Sequence, residues 1–340
     1  MPLVSIIVPC YNEQATIRLL LEAISKQTFC KPDGNHGSVE VVIADGLSTD
    51  HTRDEVSSFQ RDYPSLPVRV VDNPRRIIPA ALNCAIEASR GQYIIRLDAH
   101  SIPSADYVER CVQALEAQKG ENVGGVWDIR PQGNGLISRA IAVAAAHPFG
   151  VGDARYRYTT GAGYVDTVPF GAFQRATFER FGLFDETLLT NEDYEFNARL
   201  RQGGGRIWLD PHIRSTYFAR PDLQGLAAQY WRYGYWKWQM LRRYPRTLRW
   251  RQALPPVFVL SLVILLLLSP WWVVARWLLG IEIVVYCLVL MIGSLPVARQ
   301  KKDLGLIFAV PLAIFTMHLA WGAGFLWSMV SSRPAKKLSR

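Results

Sequence analysis

The sequence has few cysteines, and their spacing matches no common metal or disulfide motif. There are five in 340 residues, an odd number, and no two are arranged as C-x-x-C. This pattern excludes a zinc ribbon and gives no sign of a disulfide framework, so it fits a reducing compartment. The N-terminal stretch MPLVSIIVPCYNE also lacks the basic lead of a signal peptide and turns polar early. We therefore expect the front of the chain to stay in the cytoplasm.

Charged residues are scarce in the last quarter of the chain. Residues 254–330 are almost entirely apolar, whereas the composition before residue 221 is typical of a soluble protein. Five arginines lie just before the apolar part: Arg242, Arg243, Arg246, Arg249 and Arg251. Such a cluster is typical of a cytoplasmic anchor facing anionic lipid, the alternative being a solvated charged helix. The formal charge is +9, but no groove-binding motif is present, so we expect no nucleic-acid partner.

Strand and helix patterns alternate through the first 130 residues. Continuous apolar runs predict strands at 3–8, 39–44, 68–71, 93–97 and 123–127. Between them, helical spacing predicts a first helix capped by Asn12, one opened by Pro79 and one at 106–118. Apolar strands that alternate with helices predict an α/β fold with a mainly parallel sheet covered on both faces.

The middle of the chain continues with a glycine-rich segment. Residues 150–165 are predicted to form a mobile loop, a candidate lid over a ligand. A helix should follow in each of PFGAFQRATFERFG and NEDYEFNARLRQGGG, the second closed by its glycines. RIWLD and STYF are predicted as two short strands.

Polar residues follow the predicted strands, at the edge where such sheets bind ligands. In RLDAHS the carboxylate of Asp98 and the imidazole of His100 lie two residues apart. They can place two donors on one cation, and oxygen donors favour Mg²⁺ or Mn²⁺, with the imidazole shifting the preference toward Mn²⁺. The pair alone also suits a surface turn, but its position at the binding edge favours a cation site.

The C-terminal part is predicted to associate with a membrane. Residues 223–252, rich in aromatic rings and arginine, resemble helices at the bilayer surface. Three apolar segments follow at roughly 254–275, 277–298 and 304–330, each near the ~20 residues that a span needs. We expect a cytoplasmic domain at 1–222, the surface helices, a region of about three spans at 253–330 and a basic tail at 331–340. Three full spans would place that tail outside, against the positive-inside rule, which a hairpin would resolve.

Five motifs in order resemble one enzyme family. They are SIIVPCYNE, VVIADGLSTD, GQYIIRLDAHS, VPFGAF and NEDYEFNARL. Together they resemble the inverting family 2 glycosyltransferases with a GT-A fold, and within them the bacterial exopolysaccharide glucosyltransferases of the succinoglycan type. The resemblance extends over almost the whole chain.

The resemblance implies a role for each matching residue on the donor side. Lining of the nucleotide is implied for Pro9, Tyr11 and Glu13, and a contact with uracil or ribose for Asp45. Ser48 and Asp50 would shape that turn, and Arg76 and Asn83 would help hold the nucleoside. Asp98 would face the diphosphate and the metal. Most members have Asp where this chain has His100, which leaves the metal's identity open.

The resemblance also implies the catalytic and acceptor-side residues. Asp193 would be the base that takes a proton from the acceptor hydroxyl, and Glu192 the supporting carboxylate. Without the resemblance, these two acids equally suit plain capping of a helix N-terminus. The turn of Phe170, Gly171 and Ala172 would lie on the acceptor side.

Other polar residues have a functional and a structural interpretation. QYWRY resembles the Q-x-x-R-W signature of membrane polysaccharide synthases, so Gln229 and Arg232 would touch the acceptor or diphosphate; an interfacial aromatic helix is the alternative. Loop residues Arg155 and Arg157 would clamp phosphate or be solvated. Glu282 in an apolar run is a functional candidate by default. His147, His212 and His318 are predicted to be structural, with His212 a distant candidate for a third metal ligand.

The expected function is therefore hexosyl transfer, of glucose in the first instance, from a UDP-sugar with Mg²⁺ or Mn²⁺. The acceptor is expected to be a saccharide on undecaprenyl diphosphate at the cytoplasmic face of the cell inner membrane, giving a β-linkage. The alternatives are a polyprenyl-phosphate sugar synthase, a processive synthase, for which three spans are few, and an inactive nucleotide-sugar-binding assembly scaffold.

Overall fold

The computed structural model describes residues 2–30, 38–245 and 250–331. It divides into two compact units. The first comprises Met1–Asp128 and Arg155–Tyr217, and the second comprises Ile129–Ala154 and Phe218–Arg340. The second unit thus contains a segment that the sequence analysis assigned to the front domain. The predicted basic tail at 331–340, apart from Ser331, lies outside the described residues, as do Arg246 and Arg249 of the arginine cluster.

The first unit alternates strands and helices in its N-terminal half. The elements are β1 (Val4–Cys10), α1 (Ile17–Ser25), β2 (Val39–Asp45), α2 (Thr52–Asp62), β3 (Val68–Asp72), α3 (Ile78–Ala88), β4 (Tyr93–Arg96), β5 (Ile102–Pro103), α4 (Tyr107–Glu116) and β6 (Asn122–Pro131). After the segment that belongs to the second unit come β7 (Gly163–Tyr164), β8 (Ala172–Gln174), α7 (Arg175–Phe181), α8 (Glu192–Gln202) and β9 (Ile207–Ala219).

The strands form one mixed sheet in the order β3-β2-β1-β4-β8-β6-β9-β5, with β7 paired to β9. The first four strands are parallel, and β8 joins β4 and β6 antiparallel. Cys10 is in register with Asp45, and Asp45 with Asp72, so three strand ends lie side by side. The predicted α/β architecture is confirmed, and the polar residues that follow these strands share one edge.

Helices cover both faces of the sheet because the strand side chains alternate between two cores. Val4, Ile6 and Val8 of β1 pack with α1, α2 and α4, whereas Ile7 packs with α3, α7 and α8. All four β1 side chains are fully buried. Such two-sided burial is what a continuous apolar strand indicates in a parallel sheet.

Three local expectations need correction. Asn12 does not cap the first helix: it has φ 55°, and α1 begins five residues later, after Thr16. The two short strands predicted near residue 210 are one strand of 13 residues. The glycine-rich segment has short regular elements, including a 3₁₀ turn at Arg155–Arg157 and the strand β7; its mobility stays a prediction.

The second unit is helical. Its elements, apart from the ends of β6 and β9, are α5 (Leu136–Ala145), α6 (Pro148–Val151), α9 (Leu223–Arg243), α10 (Leu254–Leu268), α11 (Val273–Lys301) and α12 (Leu306–Ser331). Among the described residues, α11 and α12 are long and apolar enough to cross a membrane. The first predicted span is wrong: α10 has 15 residues and stops before Ser269-Pro270, so it is only about 22 Å long. The described residues thus contain two candidate spans, and the expected number of about three stays a prediction.

Helices α9 and α12 pack backbone to backbone where glycines face them. A Cβ on Gly234 of α9 would lie 2.0 Å from the carbonyl oxygen of Trp321, and one on Gly324 of α12 would lie 2.3 Å from that of Trp231. Small residues at such positions allow helices to approach closely. The aromatic helix that carries QYWRY is therefore fixed against α12.

Candidate active site

The turns after β1 and β2 are bonded to each other. The backbone N–H of Asn12 donates to the Ser48 hydroxyl at 2.8 Å, and that of Glu13 donates to the Thr52 hydroxyl at 2.8 Å. Asp50 accepts from the N–H of Gln14 at 3.2 Å. Side chains of one turn thus satisfy the open backbone donors of the other, which builds a preformed edge at the ends of β1 and β2.

Asp45 is buried, and both of its carboxylate oxygens have partners within this turn. Oδ1 accepts from the Ser48 hydroxyl at 2.5 Å, and Oδ2 accepts from Arg53 Nε at 2.6 Å and from the Ser48 N–H at 3.1 Å. Arg53 also donates to Asp72 at 2.6 Å. The carboxylate therefore shapes the turn; its predicted contact with uracil or ribose stays a prediction.

Tyr11 is the most accessible of the predicted nucleotide-lining residues. Its side chain is exposed, and its ring lies against Gly46, where an added Cβ would be 3.1 Å from Cδ2. Pro9 lies two residues earlier on β1 and is half-buried. An exposed ring at the carboxyl edge of the sheet suits stacking on a planar base.

Asn83 is hydrogen-bonded to the loop between α7 and α8. The buried amide donates to the Phe184 carbonyl at 3.0 Å and to Glu186 at 2.9 Å, and it accepts from the Phe184 N–H at 3.0 Å. Arg75 pairs with the same Glu186, while Arg76 is exposed with φ 55°. Asn83 therefore holds the segment that leads into α8, and the contact of Asn83 and Arg76 with a nucleoside stays a prediction.

Arg96 lies among three carboxylates, although none of the predicted site motifs pointed to this residue. This side chain, only 5% exposed, donates Nε at 3.2 Å and Nη2 at 3.1 Å to Asp98 Oδ1. Its Nη1 donates to Asp193 Oδ1 and lies 3.2 Å from Glu192 Oε1. The two predicted catalytic acids and the predicted diphosphate-side acid thus meet at one guanidinium.

This cluster shifts the protonation of its members. Burial raises the pKa of Asp193 to about 7; Arg96 acts in the opposite direction, and Glu192 and Asp98 add to the rise. Burial likewise raises the pKa of Glu192. Burial opposes the charge of Arg96, but the three carboxylates outweigh it and raise the pKa of the guanidinium. A carboxylate whose pKa lies near neutrality is suited to take up a proton.

The acceptor-side turn is bonded to the same strand. Phe170 and Gly171 both have left-handed backbones, with φ 63° and 68°. The Gly171 carbonyl accepts from the backbone N–H of Arg96 at 3.0 Å, and β8 then begins at Ala172. A side chain at 171 would also collide with Phe173, so this turn requires glycine.

An aromatic cluster surrounds Trp127 beside this turn. The indole stacks on Tyr217 with ring centroids 4.3 Å apart and contacts Tyr156 and Phe170 at 5.1 and 5.8 Å. The Arg157 guanidinium lies 4.9 Å from the Trp127 ring. Arg157 therefore has a cation–π contact in this structure, while Arg155 is exposed.

His100 is bonded to the turn after β1. Its Nδ1 lies 3.0 Å from Glu13 Oε1, and Glu13 Oε2 accepts from the Thr16 hydroxyl at 2.5 Å. In the described part of the chain, the hydrogen bonds of the Asp98 carboxylate all go to Oδ1, which leaves Oδ2 for a cation. Metal-binding imidazoles commonly have their second nitrogen held by a carboxylate, as here. No group of three His, Cys, Asp or Glu suited to a metal occurs within the described ranges, so the remaining ligands would be diphosphate and water.

The remaining predicted residues belong to other elements, and their roles stay predictions. Gln229, which donates to the Tyr233 hydroxyl at 2.9 Å, and the exposed Arg232 belong to α9 of the second unit. His212 is exposed and pairs with Asp210. His147 caps α6, and His318 bonds to the Tyr286 hydroxyl at 2.8 Å. Glu282 accepts from the Ser261 hydroxyl at 2.5 Å, a bond between α11 and α10.

Comparison with known proteins decides the family. Residues 5–182, more than half of the chain, match the family described as Glycosyl transferase family 2. The chain belongs to glycosyltransferase family 2. The matched range of this glycosyltransferase includes Asp45 and Asp98 but ends before α8, so the role of Asp193 depends on the geometry above and on the resemblance of its motif.

Three curated relatives are glycosyltransferases or polysaccharide-synthesis proteins. The succinoglycan biosynthesis protein ExoA of Rhizobium meliloti is 30% identical over 96% of this chain and 95% of its own. The dolichyl N-acetyl-α-D-glucosaminyl phosphate 3-β-D-2,3-diacetamido-2,3-dideoxy-β-D-glucuronosyltransferase of Methanococcus voltae is 24% identical over 99% of this chain and 100% of its own. A shorter match, 29% identical over 35% of this chain and 43% of its own, is the Escherichia coli UDP-Glc:α-D-GlcNAc-diphosphoundecaprenol β-1,3-glucosyltransferase WfaP.

A solved structure confirms the GT-A-like fold of this family 2 glycosyltransferase. The mannosyltransferase PcManGT from Pyrobaculum calidifontis, in complex with GDP-Man and Mn²⁺, superposes with a TM-score of 0.61 at 22% identity. The match covers 98% of this chain and 88% of the neighbour.

Proposed function

We propose that this chain is a membrane-anchored inverting glycosyltransferase that moves glucose from UDP-glucose to a lipid-linked saccharide in exopolysaccharide synthesis. The names of its relatives support this assignment: ExoA is a succinoglycan biosynthesis protein, and WfaP takes UDP-Glc and an acceptor on diphosphoundecaprenol. The acceptor in the name of the Methanococcus relative is also a lipid-linked sugar. The product would be a β-linked saccharide on undecaprenyl diphosphate.

One observation carries the proposal: Asp98 and Asp193 meet at the guanidinium of Arg96. Inverting transfer needs a base for the acceptor close to the group that faces the leaving diphosphate. The acceptor oxygen would attack the sugar C1 while Asp193 takes the hydroxyl proton. The bond between C1 and the diphosphate oxygen would break, and UDP would leave with that electron pair.

A divalent cation would be held by Asp98 and His100. When bound, it would neutralise negative charge on the diphosphate and make it a better leaving group. The chain's own contribution is to present Asp98 Oδ2 and to orient the imidazole through Glu13. The Mn²⁺ in the PcManGT complex agrees with a divalent ion; either Mg²⁺ or Mn²⁺ suits these donors.

Membrane anchoring is supported by the surface of the C-terminal helices. Helices α11 and α12 satisfy the length and hydropathy of spans, and large apolar side chains are exposed along α10 and α11. Trp271, Trp272 and Trp277, where α10 turns into α11, are all exposed. Aromatic residues at such a position are typical of a membrane–water interface. An anchor in the inner membrane, with the catalytic part in the cytoplasm, would bring donor and lipid-linked acceptor together.

The test is a transfer assay with the purified full-length chain in detergent. Labelled UDP-glucose and a panel of other UDP- and GDP-sugars would be offered with an undecaprenyl-diphosphate saccharide, in Mg²⁺, Mn²⁺ or EDTA. We expect label on the lipid with UDP-glucose and a divalent ion, and its loss in EDTA. Asp193→Asn should lower kcat by at least about 100-fold while UDP binding is retained.

A matched control is Asp185→Asn, in the loop before α8. This carboxylate accepts from the N–H and hydroxyl of Thr187, so the variant should keep most of the activity. Wild-type protein that transfers no sugar from any donor would refute the proposal. Label on a polyprenyl monophosphate, or in a long polymer, would replace the proposed acceptor.

A further inference from the structure

Arg96 connects two parts of the site that are far apart in the sequence. It is the last residue of β4, two residues before Asp98, and its other carboxylates open α8, 97 residues farther along the chain at Asp193. Nearly the whole side chain is buried, at 5% exposure. A buried arginine needs carboxylates around it, and here those carboxylates are the ones proposed to act on diphosphate and acceptor.

The donors of Arg96 are divided between the two sides of the reaction. Nε and Nη2 donate to Asp98 at 3.2 and 3.1 Å, whereas Nη1 donates to Asp193 and lies 3.2 Å from Glu192. A guanidinium is planar and its donors keep fixed directions. The separation between Asp98 and Asp193 is therefore set by the width of one rigid group.

The backbone of Arg96 contributes a third constraint. Its N–H donates to the carbonyl of Gly171 at 3.0 Å, in the predicted acceptor-side turn. Because β4 also pairs with β8 through Ile95 and Ala172, this turn has little freedom to shift relative to Arg96. Arg96 is thus bonded to the proposed base Asp193, to Asp98 on the diphosphate side and to the predicted acceptor-side turn.

We propose that Arg96 is the positioning residue of the transfer reaction, holding Asp193 and Asp98 at the separation that in-line displacement requires. This inference rests on the proposed function. Arg96 acts through the two carboxylates. Within the described part of the chain, Arg96 donates to Oδ1 of both acids, so Oδ2 of Asp193 would be available to the acceptor hydroxyl and Oδ2 of Asp98 to the cation. Lysine in its place keeps the charge but offers a single nitrogen, which cannot hold both acids in one plane.

The test compares Arg96→Lys and Arg96→Ala with the same changes at Arg175. Arg175 also bonds within the first unit, but its described partners include the Gly91 carbonyl at 2.9 Å and the Ser89 hydroxyl at 2.8 Å and no carboxylate. The full-length chain would be assayed for kcat, for KM of the donor and for binding of UDP with Mn²⁺. Thermal unfolding of each variant would report how much protein is folded.

We expect Arg96→Lys to lower kcat on the order of 100-fold, the loss typical of a misplaced catalytic group. The KM of the donor should change less than about threefold, because the nucleotide is expected to bind at the β1 and β2 turns and Arg96 acts on the carboxylates. Arg175→Lys should keep kcat per folded molecule. Methylguanidine should restore part of the activity of Arg96→Ala, and none of that of Asp193→Asn.

Two results would overturn the inference: wild-type kcat in Arg96→Lys, or an equal kcat loss in Arg175→Lys at equal folded fraction. If Arg96→Ala does not fold, Arg96→Lys decides alone. Failure of the proposed function is distinguishable, because wild-type protein would then transfer no sugar. An active wild type with an inactive Asp193→Asn and a fully active Arg96→Lys would refute only the role of Arg96.

Discussion

The close contact of α9 with α12 predicts a large effect from one added methyl group. In Gly234→Ala the new Cβ would lie 2.0 Å from the carbonyl oxygen of Trp321, against an ordinary contact distance of 3.4 Å or more. The helices must separate locally by about 1.4 Å, because a backbone carbonyl in a helix cannot rotate away. Overpacking of this kind costs about 1–3 kcal/mol, offset by about 1 kcal/mol from the better helix propensity of alanine. We expect a net loss of up to about 2 kcal/mol, and a deficit of about 1–3 kcal/mol relative to a glycine-to-alanine change that makes no new contact.

The matched control is Gly280→Ala, at the eighth residue of α11. No described atom lies within 4 Å of a Cβ at this position, so only helix propensity changes and the variant should be as stable as wild type or slightly more so. Thermal unfolding of both variants in the same detergent measures the difference. A melting temperature of Gly234→Ala equal to that of Gly280→Ala would refute the close approach of the two helices.

Two further predictions concern the first unit. The pKa of Asp193 is raised to about 7, and the proposed base must be ionised to accept a proton. We therefore expect kcat/KM to fall by about tenfold for each pH unit below pH 6 and to level off above pH 8. A pH–rate profile that is flat between these values would contradict the assignment. Asn83→Ala removes three hydrogen bonds of a buried amide and should cost about 2–3 kcal/mol in denaturant unfolding, whereas exposed Asn134→Ala should be neutral.

The general architecture was accessible from sequence because it depends on local patterns. Apolar runs separated by helical spacing predicted five of the six strands through residue 130 and their alternation with helices; the two-residue strand β5 was not predicted. The errors have one long-range and one local cause. Asn12 does not cap α1 because its side-chain Oδ1 accepts from the N–H of Thr49, 37 residues away, and the helix begins only at Ile17. The first apolar segment was overestimated because the break at Ser269-Pro270 divides its end from α10, which leaves 15 residues in the helix.

The sequence predicted which polar residues lie at the strand ends. It predicted less well which groups those residues bond to. Asp98 and Asp193 were singled out by motif, and the structure brings both to Arg96. Asp45 and Asn83 were predicted to contact the nucleotide, whereas their polar atoms bond to neighbouring turns. A motif states which residue types recur in a site. It does not state whether a side chain meets the ligand or holds the segment that does.

Arg96 shows where sequence reasoning had a usable signal. An arginine at the end of the run Tyr93-Ile94-Ile95 continues a fully buried strand, and a charge in that setting requires opposite charges nearby. That argument predicts acidic partners from the sequence alone. That argument does not identify all of the partners. Asp98 is only two residues away in the sequence, but Glu192 and Asp193 come close to Arg96 only because α8 packs on the sheet. The strand therefore reveals that a buried charge must be neutralised, and only the tertiary structure reveals that the neutralising groups are the acids with which sugar transfer is proposed to work.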